Sequence, residues 1–266
     1  MSDFKNARIL VLGASTGIGY ECAKHFCHQG AQVCIASSNG EKIHAACESI
    51  GAMHGNFPSV FQVDLSDSQS VDRFIEALNE SHHLDFDRVV LNAGGPPYYA
   101  DSLDIPESIW LKHFQSLFLS QIKIVQALVP KMKERRFGRF VLIGSSGMTA
   151  PIPGLCISNA IRSAMHAWLK SVSDELSPFN ININTVIPGK IATARLEQIE
   201  AATADRLGIS KEQYREKVQT SIPSKKYGRA EDIVNAVAFL MNKEASSYIT
   251  GSAIRVDGGL IRSLQG

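Results

Sequence analysis

Short apolar runs alternate along this chain with longer stretches in which apolar residues recur at helical spacing. Positions 8–12, 32–36, 60–63, 88–92, 139–143, 182–186 and 253–256 are of strand length. Most are rich in β-branched residues and apolar at successive positions, as strands covered on both faces must be. Between them, 18–29, 41–50, 68–79, 106–133, 158–176 and 230–241 carry amphipathic helical patterns. Strand–helix alternation from end to end predicts an α/β fold. It would be one Rossmann-type, doubly wound parallel sheet with helices on both faces, joined by right-handed crossovers. No internal repeat or low-complexity segment breaks the pattern, so one domain is expected over 1–266. A polar, helix-prone interruption at about 190–228 is too small to be a domain.

Composition narrows the function classes. With 27 Lys and Arg against 26 Asp and Glu, the formal charge is +1, without the strongly basic balance of a nucleic-acid protein. A hydrophobic fraction of 44% spread over the whole length excludes intrinsic disorder. The N-terminus lacks a charged-then-apolar leader, and no run of about 18 apolar residues is present to span a bilayer. Cys22, Cys27, Cys34, Cys47 and Cys156 form no CxxC pair and no metal-ligand spacing with histidine. A cytoplasmic protein with packed thiols and no metal is expected.

Ligands of such sheets bind beyond the carboxyl ends of the strands, where the chain direction switches. After the first strand comes Gly13-Ala14-Ser15-Thr16-Gly17-Ile18-Gly19, opening a helix. The glycines let the backbone approach a pyrophosphate, and the helix N-terminus offers free N–H groups and a positive dipole. A plain tight turn is the alternative, and the position between first strand and first helix favours the phosphate site.

In this GxxxGxG spacing the chain resembles the short-chain dehydrogenase/reductase (SDR) family, and the resemblance runs through nearly the whole sequence. Asp64, with Leu65 after it, resembles the acidic residue beside the adenine. Leu91-Asn92-Ala93-Gly94 is similar to the family's NNAG turn, with Leu91 for its first Asn. Pro188-Gly189-Lys190-Ile191-Ala192-Thr193 is similar to the PGxIxT element beside the nicotinamide. Tyr248-Ile249-Thr250-Gly251 and Val256-Asp257-Gly258-Gly259 resemble the carboxyl-terminal signature. The resemblance implies a nicotinamide dinucleotide. The end of the second strand, Ala36-Ser37-Ser38-Asn39, lacks the acid that holds a ribose 2′-hydroxyl, and it has no arginine either. Hydroxyls from Ser37 and Ser38 can bond a 2′-phosphate, which favours NADP(H) over NAD(H). Alternatively both serines finish a strand and start a turn.

The family's catalytic Ser, Tyr, Lys and upstream Asn map onto Ser145, Ser158, Arg162 and Leu117. Ser145 alone is retained. Ser158 is a ring shorter than Tyr and a weaker acid. Arg162 can bond ribose hydroxyls through its fork and carries charge, but does not pass a proton. Leu117 removes the polar anchor of a water relay. General acid catalysis supplies about 10²- to 10⁴-fold, so its loss slows plain ketone reduction without abolishing hydride transfer. The run Asn92-Ala93-Gly94-Gly95-Pro96-Pro97, with Ser-Asn-x-x-Arg at 158–162, resembles a divergent branch. Its members are labelled by analogy with 3-oxoacyl-acyl-carrier-protein reductases.

Further candidates lie near these positions. Tyr98 and Tyr99 follow the Pro96-Pro97 loop and are either a phenol donor from another direction or an aromatic wall of the substrate pocket. Cys156 either lines that pocket or packs as a small thiol. His113 and His166 receive no role. The segment 190–228 matches the family's substrate loop and is expected to act as a lid. Lys131, Lys133, Arg135, Arg136 and Arg139 are either a docking surface for acyl carrier protein or cations favoured at a helix C-terminus. Family habit implies a homotetramer, with Trp168, Leu169 and Val172 as interface candidates. Two function classes fit: an oxidoreductase moving hydride to or from a carbonyl or conjugated carbonyl compound, or a dinucleotide-binding sensor or partner subunit without turnover. The retained elements on the nicotinamide side favour the enzyme.

Overall fold

The computed structural model describes residues 3–80 and 85–263. Seven strands form one parallel sheet: β1 (Arg8–Leu12), β2 (Gln32–Ser37), β3 (Ser59–Gln62), β4 (Arg88–Leu91), β5 (Gly138–Ile143), β6 (Ile181–Pro188) and β7 (Ala253–Val256). They lie in the order β3-β2-β1-β4-β5-β6-β7, so the direction of winding reverses between β1 and β4. The helices are α1 (Gly17–His28), α2 (Gly40–His54), α3 (Ser68–Glu80), α4 (Glu107–Phe114), α5 (Ser120–Arg135), α6 (Cys156–Leu176), α7 (Ala194–Leu207), α8 (Lys211–Ser221) and α9 (Ala230–Met241).

Strand periodicity divides the core in two. Ile9 and Val11 of β1 face one layer, with Val33, Ile35 and Val141, against Phe26 of α1, Ile43 of α2 and Val237 of α9. Leu10 and Leu12 face the other, with Leu91, Phe140 and Leu142, against Phe74 of α3, Leu128 of α5 and Met165 of α6. Side chains alternate across a strand, so a run apolar at every position serves both layers.

Two regions depart from the simple sequence pattern. The stretch 106–133 is not one uniform helix, because a π-helical turn at Gln115–Leu119 separates α4 from α5. Its loosened backbone is held by side chains. Gln121 Nε2 donates to Leu117 O at 3.2 Å, and Ser120 Oγ donates to Leu65 O at 2.7 Å. The interruption after β6 contains α7 and α8. Thr193 caps α7 by accepting from Leu196 N, and Ser210 and Gln213 form a reciprocal capping box on α8. The two helices close over a small cluster of Leu196, Val218, Ile222 and Tyr227.

Two surface expectations are corrected by burial. Leu169 is 1% exposed and packs in the layer with Met165, so it is core within the subunit and not part of an outer face. Arg139 is fully buried, donating Nη1 to Gly138 O and Asn180 O at 2.8 Å, and so contributes nothing to a docking surface. Nearby, Arg135 is tied to Asp85 and Phe86 O, Arg136 to Pro178 O and Lys131 to Glu134.

Candidate active site

Two cavities adjoin beyond the carboxyl ends of β1 and β4, both lined by Gly13, Thr16, Ala93 and Gly94. One, of about 440 Å³, is also lined by Ser15, Ser37, Ser38, Asp64, Leu65 and His113. The other, of about 310 Å³, is lined by Gly17, Ile18, Asn92, Ser145, Ser158, Arg162, Pro188, Gly189, Ile191, Thr193 and Arg195. Elements read as separate motifs thus meet along one groove.

The groove fits a dinucleotide on local grounds. A Cβ at Gly19 would lie 2.3 Å from Gly13 O, so the loop is folded tighter than any other residue allows. Gly13 has φ +60°, in the left-handed region. At the start of α1, Thr16 makes no side-chain cap and the first turn holds no acid, so among the described residues neither offsets the helix's positive N-terminal end. A Cβ at Gly94 would meet nothing within 4 Å, so the groove wall is open there. At the end of β2, Ser37 Oγ donates to Ser15 Oγ at 3.0 Å, joining strand end and glycine loop. The Asp64 carboxylate accepts from both N and Oγ of Ser66 at 2.8 Å.

The other end carries Ser145, Ser158 and Arg162. Ser145 follows β5 and its Oγ accepts from Gly147 N at 3.1 Å. Ser158 lies in the first turn of α6, buried but on the cavity wall. One turn later Arg162, 7% exposed, donates Nη1 to Ile143 O at 2.7 Å and Nη2 to Ala93 O at 2.9 Å. It therefore ties the ends of β5 and β4 together while facing the cavity. Burial, and secondarily the charge of Arg195, lower its pKa to about 10, so it stays charged at neutral pH. Between them, Asn159 Nδ2 holds Ile152 O at 3.0 Å. Leu117 sits in the π turn, buried against Ala93, Ile105, Ile157 and Ile161, where a polar side chain would be costly.

Residues 13–261 match the protein family described as enoyl-(acyl carrier protein) reductase. The chain is a short-chain dehydrogenase/reductase. Among its relatives is the NADPH-dependent reductase BacG of Bacillus subtilis, 30% identical over 96% of this chain and 97% of that one. Dehydrogenase/reductase SDR family member 4 of Homo sapiens is 28% identical over 96% of this chain and 87% of its own length. The crystal structure of YwfH, an NADPH-dependent reductase involved in bacilysin biosynthesis, superposes with a TM-score of 0.89 at 27% identity. That superposition covers 98% of this chain and 100% of that one.

Within this SDR site, three sequence candidates lie off the cavity wall. Tyr98 packs its ring on Gly154 under the Arg206 guanidinium, and its hydroxyl is buried without a hydrogen-bond partner among the described residues. Tyr99 and Cys156 pack against the Leu117 cluster. Tyr98 and Tyr99, read as either a phenol donor or an aromatic wall, thus lie towards α7 and the α4 side, with Tyr99 N donating to Gly154 O at 2.9 Å. His113 lines the larger cavity, and His166 Nδ1 bonds Thr185 Oγ1 at 3.0 Å.

Sequence reasoning missed Arg195. It stands in the first turn of α7, reaches the carbonyl of Pro96 across the groove, and lines the cavity with Arg162. A signal was present: a cation one residue into a helix, against the dipole, needs a local reason. Among the described residues no group of three or more His, Cys, Asp or Glu could hold a metal ion, and no helix is long and apolar enough to cross a membrane.

Proposed function

We propose that this chain is an NADP(H)-dependent oxidoreductase that transfers hydride to a conjugated carbonyl compound, with protonation supplied from water and not from the family's tyrosine. The single observation that carries this reading is the cavity wall of Ser145, Ser158 and charged Arg162, without a phenol among the described residues. Bound NADPH would supply hydride, a proton together with two electrons, to an electrophilic carbon and leave NADP⁺. The 13–19 loop, Asn92–Gly94 and the 188–193 element would hold it. The named NADPH dependence of BacG and YwfH, and the acid-free end of β2, support NADP(H) over NAD(H).

This chain's own residues then decide which acceptors suit it. Hydride addition to an isolated ketone places a full charge on one oxygen and needs a strong acid beside it. Addition to the β-carbon of an enone forms a C–H bond, breaks the π component of the C=C bond and leaves a delocalised enolate. The Ser145 hydroxyl and the Arg162 charge can stabilise that anion while water protonates it. The helices α7 and α8 act as a lid that shields the groove from bulk solvent while enclosing the water that protonates the enolate. The internal pairing of the basic cluster at the end of α5 supports a free small molecule over an acyl carrier protein. A cytoplasmic homotetramer is part of this reading.

Consumption of NADPH and NADH against enones, simple ketones and β-keto thioesters tests it. NADPH with enones should exceed simple ketones by about 10²-fold. β-Keto thioester rates equal to enone rates would sink the argument from the missing acid. Saturable NADPH binding with no turnover on any acceptor would favour the sensor.

A further inference from the structure

The cavity that takes the acceptor in the reading above has an unbalanced charge. Arg162 and Arg195 both line it, and among the described lining residues there is no Asp or Glu. Neither guanidinium has a carboxylate partner among the described contacts. Arg162 spends two donors on the carbonyls of Ile143 and Ala93, and Arg195 one on that of Pro96. Each keeps further N–H donors. Their charges repel, and burial weighs on both, in the same direction.

The placement of Arg195 adds a third positive contribution. Thr193 caps α7 by accepting from Leu196 N, and Thr193, Ala194 and Arg195 all line the cavity, so the positive end of that helix dipole adjoins it. A cation at a helix N-terminus beside a second buried cation is unfavourable in isolation. A bound anion reverses the sign of all three contributions, and a guanidinium fork fits a carboxylate in two parallel bonds. The cofactor pyrophosphate has a separate cradle, the 13–19 loop and the start of α1. A Cβ at Gly17 would face Thr193, whereas a Cβ at Gly95 would face Arg195 Nη2 at 3.4 Å. Arg195 thus crosses to the opposite wall, beyond the Asn92–Gly94 turn.

We infer that Arg195, with Arg162 behind it, selects acceptors bearing a carboxylate near the conjugated carbonyl. Arg195 is the specificity residue, holding the carboxylate from the lid side. Arg162 is left to face the developing enolate. The inference rests on the proposed function for the identity of the site, but it is read by binding as well as by turnover.

The probes are 4-oxopent-2-enoate and its methyl ester as acceptors with NADPH, and saturated 4-oxopentanoate as a non-reacting ligand of the NADP⁺ complex. Wild type should prefer the acid to the ester by about 30-fold in kcat/KM, the range of a charge-assisted pair. Arg195→Leu should erase that preference by lowering the acid about 30-fold more than the ester, and Arg195→Lys should keep part of it. By calorimetry, 4-oxopentanoate should bind the wild-type complex and lose about tenfold or more in Arg195→Leu, with NADPH affinity held within about threefold. If acid and ester serve equally, and 4-oxopentanoate binds both proteins alike, the inference is overturned. Loss of NADPH affinity matching the loss of acid would also overturn it, by assigning Arg195 to the pyrophosphate. Arg195-dependent binding of 4-oxopentanoate without any turnover would uphold the anion site and remove the hydride-transfer reading instead.

Discussion

Asn92 donates its side-chain Nδ2 to the main-chain carbonyl of Gly13 at 3.1 Å, linking the end of β4 to the turn after β1. A Cβ on either Gly13 or Gly19 would stand 2.8 Å from that same nitrogen. The glycine loop and the Asn-Ala-Gly turn are therefore one construction, and neither keeps its shape without the other.

Two substitutions separate folding from binding in this region. Gly19→Ala drives a methyl into Gly13 O, so it should cost about 1–3 kcal/mol in urea unfolding and weaken NADPH together with stability. Gly94→Asp meets open space, so its melting temperature should match wild type. Its carboxylate should still weaken NADPH by about tenfold or more through like-charge contact. Unchanged NADPH affinity in Gly94→Asp, measured by calorimetry, would place the cofactor elsewhere.

Arg162→Lys tests the double tie between β4 and β5. An ammonium cannot span Ile143 O and Ala93 O as the planar fork does, and one buried carbonyl loses its partner. Unfolding free energy should fall by about 1–3 kcal/mol, while NADPH affinity stays within about tenfold. A loss of a hundredfold in NADPH affinity would show that the guanidinium grips a phosphate.

Restoring the family's residues should act unequally. Ser158→Tyr combined with Arg162→Lys points a phenol into a cavity of about 310 Å³ and should raise simple-ketone reduction by about tenfold or more. Leu117→Asn instead buries an amide among Ala93, Ile105, Ile157 and Ile161, and should cost about 2–5 kcal/mol. Ketone rates that stay at the wild-type level in the double variant would show that acid supply is not what limits them.

Stability should decline on the acid side of neutrality. Burial, and then the Lys170 charge, hold His166 below its ordinary value of 6.5. His25 and His113 are lowered the same way, by burial first. In the unfolded chain these imidazoles protonate near 6.5, so below that value the unfolded state binds more protons than the folded one. Stability is greatest above about pH 6.5 and falls as the pH drops towards the folded-state pKa values. His166→Asn, which keeps a polar partner for Thr185, should flatten part of that fall in urea titrations at about pH 7.5 and 5.5. An identical slope in both proteins would remove His166 from the account.

The sequence alone was enough to predict the doubly wound sheet, because strands buried on both faces read as unbroken apolar runs and the helices between them as one-sided patterns. The glycine loop was legible for a similar reason: its shape is set by close backbone contacts within seven residues, and a local conformation has a local signature. The resemblance to the family implied Ser158, Arg162 and Leu117 as the positions of its Tyr, Lys and Asn, because those motifs lie at fixed intervals along the chain. Tertiary structure decided where long side chains end. Tyr98 and Tyr99 border the right loop in sequence, yet the pin on Gly154 packs both away from the cavity wall. The π turn that carries Leu117 leaves no mark in an apolar pattern that runs through it unbroken. Arg195 meets Pro96 across 99 positions, and its direction depends on how α7 sits over the loop after β4. That relation exists once two segments have packed, and no periodicity or spacing in either segment encodes it.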